Sequence, residues 1–158
     1  MDIKEYFLFR EELLNNAVFP NDGGYADSLF LDNILSDLLE TKLIDSEDIN
    51  NCFHSSVLND TELKVDAYCI NETGERLQLF LINEKATGLS TKQEDLIIST
   101  QSKYDEMFIK TDNFINKSIK GHLSLQDSDP AYFILEQLKS SKFINQIDVI
   151  EIFLISPT

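Results

Sequence analysis

Residues 63–85 hold the side chains best suited to chemistry. Asp66 lies in one strand-like run, and Asn83, Glu84 and Lys85 end the next, with a Glu72-Thr73-Gly74-Glu75 turn between them. Metal-dependent phosphodiester hydrolysis uses oxygen ligands to hold Mg²⁺ or Mn²⁺, and the ion then activates water and steadies the leaving phosphate. One way to build such a site takes an acid from an early helix, an acid on the first hairpin strand, a second acid on the partner strand and a nearby lysine. Asp32 or Glu40 can supply the first, Asp66 the second and Lys85 the last. Asn83 occupies the remaining position, where it offers a neutral carbonyl and leaves the site one negative charge short. Glu84 is adjacent, but strand alternation points it to the opposite face unless a bulge re-aims it. Taken singly, Asp32 and Glu40 read as solvated helix acids, Asp66 as a solvent-face strand residue and Lys85 as an ordinary strand-end lysine.

Other chemistries find less support. His54 and His122 are the only histidines, and neither has metal-ligand spacing. Ser55-Ser56 beside His54 lacks the pattern of a nucleophile elbow. Gly23-Gly24 precedes a helix without the rest of a phosphate-binding fingerprint. Cys52 and Cys69 read as two small buried hydrophobes.

The elements that must position these residues follow from periodicity. A helix is expected over 2–16, with Asp2 and Glu5 at capping-box spacing, and the Phe19–Gly24 loop ends it. A second helix runs from about Tyr25 to Thr41, its apolar side made by Leu31, Ile34, Leu35, Leu38 and Leu39. Strands are expected at Cys52–Leu58, Leu63–Asn71 and Arg76–Asn83, the last two paired around Thr73-Gly74. In the middle strand Val65, Ala67 and Cys69 alternate with Lys64, Asp66 and Tyr68. A long helix over 91–120 starts at a Thr91–Glu94 capping box, carries Ile97, Tyr104, Phe108, Ile115 and Ile119, and stops at Gly121. Asp129-Pro130 opens a further helix to about Ser140 as N-cap and first residue. Val149–Ile155 is nearly all apolar and suits a central strand buried on both faces.

At 158 residues the chain fits a single domain, with an N-terminal helix in 1–20 and a core over 25–156. No apolar run reaches the roughly 20 residues of a membrane helix, so no membrane partner is expected. The N-terminus lacks a signal-peptide pattern, which makes cytoplasmic the default location. A net charge of −15 disfavours nucleic-acid backbones unless the basic residues cluster. Lys103, Lys110, Lys117 and Lys120 make a stripe, best read as a solvated helix face.

The order α-β-β-β-α-β matches the core of the restriction-endonuclease-like fold. The chain also resembles the N-terminal domain of abortive infection phage resistance (AIPR) proteins. The resemblance rests on Phe30-Leu31-Asp32, Val65-Asp66-Ala67-Tyr68, Leu77–Asn83, Ser128-Asp129-Pro130-Ala131-Tyr132 and the closing strand Ile150–Ser156. Ala67 stands where the family usually has glycine, and Asn83 where it tends to have aspartate. The resemblance implies an α/β mixed sheet of about four strands flanked by helices, in the N-terminal module of a longer defence protein whose effector would follow Thr158. The expected role is self-association or recognition of a protein partner, with no cofactor. The alternatives are a Mg²⁺- or Mn²⁺-dependent DNA nuclease using Asp32, Asp66, Asn83 and Lys85, or an acidic mimic of nucleic acid.

Overall fold

A computed structural model of the chain describes residues 2–16, 27–44, 48–83 and 100–156. In chain order the elements are α1 (Ile3–Asn16), α2 (Asp27–Glu40), β1 (Asn50–Leu58), β2 (Thr61–Ile70), β3 (Arg76–Ile82), α3 (Gln101–Ile119), α4 (Tyr132–Lys139), α5 (Ser141–Gln146) and β4 (Val149–Ile155). The four strands form one mixed sheet in the order β1-β2-β3-β4. β1, β2 and β3 are antiparallel neighbours, and β4 returns parallel to β3 after the helical crossover.

Local chemistry accounts for the ends of several elements. At α1 the Asp2 carboxylate accepts the Lys4 and Glu5 amides, and Glu5 accepts the Asp2 amide, closing the expected capping box. α3 ends as expected at Gly121 (φ +67°), where the His122 amide donates to the Lys117 carbonyl and the Gly121 amide to Ser118. The described part of that helix begins at Gln101, after Thr100; the expected Thr91–Glu94 box and Ile97 lie outside the described residues. β1 and β2 join through Asn59-Asp60, both at positive φ, a two-residue turn of the type hairpins favour.

Two apolar layers sandwich the sheet. Phe114 and Ile115 of α3, Ile134, Leu135 and Leu138 of α4 and Phe143 of α5 pack on one face with Leu63, Val65, Tyr68, Leu77 and Leu79. Leu31 and Leu35 of α2, with Ile44, cover Ala67, Cys69, Phe80 and Ile82 on the other. The whole stretch Leu63–Cys69 is therefore buried, including the polar residues that alternation would send to solvent.

Four expectations need correction. β4 lies at an edge of the sheet rather than at its centre, because the crossover returns it beyond β3. The helix after Pro130 starts two residues later than expected, with Ala131 as its N-cap; Asp129 and Pro130 belong to the preceding turn, where the Asp129 carboxylate accepts the Ala131 amide. A second short helix, α5, follows directly with Ser140 as its cap. On α3 the buried face is Thr111, Phe114, Ile115 and Ser118, and Ile119 is exposed.

Candidate functional site

Asp66 sits where β2 leaves its regular pairing. The β1–β2 register passes from Asn51↔Ala67 to His54↔Val65, so Cys52 and Phe53 together oppose Asp66 alone. This is a β-bulge, a device found often beside functional sites, and Phe53 takes a positive φ of 43° within it. The packing of β2 changes face here too: Leu63 and Val65 belong to one apolar layer, Ala67 and Cys69 to the other.

The Asp66 side chain is 2 % exposed and both of its oxygens are engaged. Lys64 Nζ donates to Oδ1 at 3.0 Å, and the Ile82 amide donates to Oδ2 at 2.6 Å. The carboxylate thereby extends the β2–β3 ladder past its last paired residues, Ala67 and Phe80. Lys64 is itself buried, and its carbonyl accepts the Thr111 hydroxyl of α3 at 2.8 Å. Lys64 is the partner that the sequence reading missed. Its signal was available, since positions two apart on a strand share a face.

Through Ile82, the fold brings Asp66 beside the end of β3. There Asn83 is buried, donating its amide to the Ile155 carbonyl at 2.9 Å and its side-chain NH₂ to Ser156 Oγ at 3.2 Å. Asp32 is exposed on α2 and accepts from Asn51 Nδ2 at 3.4 Å; Asn51 pairs with Ala67, next to Asp66. Glu40 is exposed in the last turn of α2. Glu84 and Lys85 lie outside the described residues.

As placed here, Asp66 and Asn83 do not present a divalent cation with a free carboxylate. A metal carboxylate needs oxygen lone pairs directed at the ion and a surplus of negative charge. Asp66 is instead neutralised by a buried ammonium and bonded to a backbone amide. Among the described residues no group of three His, Cys, Asp or Glu side chains is arranged to hold an ion.

The model of the abortive infection phage resistance protein N-terminal domain matches residues 30–157. The chain belongs to this family. No curated protein and no solved structure matches it.

Within this AIPR N-terminal domain, the Ser128–Tyr132 motif meets β1. His54 is buried against the Phe114 ring, with Nε2 2.9 Å from Ser56 Oγ and Nδ1 3.6 Å from Asp129 Oδ2. The order Ser-His-Asp invites comparison with a hydrolytic triad. The carboxylate contact, however, is too long for the hydrogen bond that orients a catalytic imidazole. The arrangement instead places polar groups beside both ring nitrogens of a core histidine and ties β1 to the turn before α4. Asp129 was out of reach of sequence reasoning, because it lies 75 positions from His54.

The two cysteines of the AIPR domain are free and buried, as expected. Burial pushes the Cys52 thiol up to about 12, leaving it a protonated donor to the Val65 carbonyl. A groove beside the β1–β2 turn, lined by Asp60, Glu62, Glu106 and Lys110 among others, contains none of the sequence-predicted site residues. Among the described residues no helix is long and apolar enough to cross a membrane.

Proposed function

We propose that this domain serves a phage-defence protein as a recognition module, built on a nuclease-like layout that no longer carries out cleavage. The order of strands and helices is compatible with the restriction-endonuclease-like fold. The observation that carries the reading is Asp66. The position that would hold a metal is a strut, with one oxygen on Lys64 and the other on the Ile82 amide. Asn83 supports it by spending its side-chain donor on Ser156.

Incubation of the purified chain with plasmid and linear DNA, in Mg²⁺ and in Mn²⁺, tests this reading. Neither the natural sequence nor Asp66→Ala nor the exposed Asp32→Asn is expected to produce nicks or breaks. Metal-dependent cleavage that disappears in Asp32→Asn, a variant whose fold is not at stake, would overturn the proposal and install the nuclease reading.

A further inference from the structure

We propose that β4 is the self-association edge of this domain, with two copies pairing β4 antiparallel to β4 about Ile152. Two four-stranded sheets then become one. The inference rests on the recognition reading above and names the partner as a second copy of the chain.

The two edges of the sheet are treated differently. An exposed edge strand offers unpaired amides and carbonyls to any other strand, and proteins usually guard against this with bulges, polar residues, lysine or proline. β1 is guarded in this way: its pairing is broken by the bulge, and Asn50, Asn51 and Ser55 are exposed. Among the described residues nothing guards β4 in this way. It reads Val-Ile-Glu-Ile-Phe-Leu-Ile and pairs with β3 without interruption from Val149 to Ile155. Val149 and Ile150 are 44 % and 37 % exposed.

Hydrogen-bond directions show which residues face outward. In a strand the N–H and C=O of one residue point to the same side, and the side alternates along the chain. The Ile155 carbonyl accepts the Asn83 amide and the Val149 amide donates to the Glu75 carbonyl, so Val149, Glu151, Phe153 and Ile155 address β3. Ile150, Ile152 and Leu154 then direct their backbone groups outward. An antiparallel pair centred on Ile152 sets that residue against itself and Ile150 against Leu154. All three outward residues fall at hydrogen-bonded positions, and their side chains meet as apolar cross-strand pairs.

Charge points to the same place. Copies carrying −15 repel, so a self-interface needs a locally neutral patch. Glu151 is the one charged residue in β4, and Arg76 already grips it through two hydrogen bonds of 2.7 and 2.9 Å. In this register it faces the second copy's Phe153 and avoids its own counterpart.

Sedimentation velocity over a micromolar concentration series tests the proposal. Ile152→Pro removes an outward amide while keeping the bonds to β3, and Ile150→Lys puts a guarding charge on the edge. The natural chain should sediment as a dimer, and both variants as monomers with unchanged far-UV circular dichroism. If Ile152→Pro unfolds, Ile150→Lys decides alone. A natural chain that stays monomeric throughout, or a dimer that persists in a folded Ile150→Lys, overturns the inference. A monomer that leaves DNA intact overturns only this inference, whereas cleavage lost in Asp32→Asn overturns the recognition reading whatever the mass.

Discussion

Asp66 and Lys64 are a buried ion pair whose members lie two residues apart on one strand, at 2 % and 6 % exposure. Taking both charges out of water is expensive, and breaking such a pair leaves the survivor buried without its counter-charge, at a cost of about 3–5 kcal/mol. Asp66→Ala should therefore lower the unfolding free energy by about 3 kcal/mol in urea titration. The double variant Lys64→Met/Asp66→Leu should recover much of that loss, because no uncompensated charge remains. A cost under about 1 kcal/mol for Asp66→Ala would be that of a solvent-face acid and would refute the strut.

Glu151 makes a second residue-scale prediction. The Arg76 hydrogen bonds hold its carboxyl below the ordinary glutamate value, with a smaller contribution from Gln78 that also lowers it and a desolvation effect that opposes both. The native state therefore binds this proton less readily than the unfolded chain. The stabilisation is present above the ordinary carboxylate range and is lost as pH falls through the depressed native value. Glu151 is about a third exposed, so the effect should be about 1 kcal/mol or less. Glu151→Gln should flatten the acid side of a stability-versus-pH curve measured by chemical denaturation.

At the scale of elements, the β2–β3 turn depends on Gly74. Its φ of +73° belongs to glycine, and an added Cβ would stand 2.6 Å from Gln146 Nε2, the group that donates to the Thr73 carbonyl. Gly74→Ala should cost about 1–2 kcal/mol, read as a fall in melting temperature. Thr73-Gly74 was legible as a turn, as were the Asp2–Glu5 cap and the Gly121 stop, because each is settled by chemistry within a few residues. The start of α4 was misplaced by two residues because Asp129 caps the turn before the helix, an equally local use of the same side chain. The bulge opposite Asp66 left no such trace, since Cys52, Phe53 and Asp66 become opposed only when β1 and β2 pair.

For the molecule as a whole, the charge of −15 is a standing repulsion that ordinary salt screens over about 10 Å. Raising NaCl from low to moderate concentration should raise the melting temperature of the natural chain by differential scanning fluorimetry. A fall would mean that its ion pairs outweigh its self-repulsion.

The sequence by itself determined the order of helices and strands apart from α5, the hairpin, the Asp2–Glu5 cap, the Gly121 stop and the family, all of which follow from periodicity and from motifs read in short windows. Tertiary structure alone decided three matters: that Asp66 is buried with both oxygens taken, that β4 runs at an edge, and that His54 meets Asp129. The physical reason is common to all three. Alternation tells which residues share a face, whereas burial, register and partner depend on which distant segments arrive to cover that face.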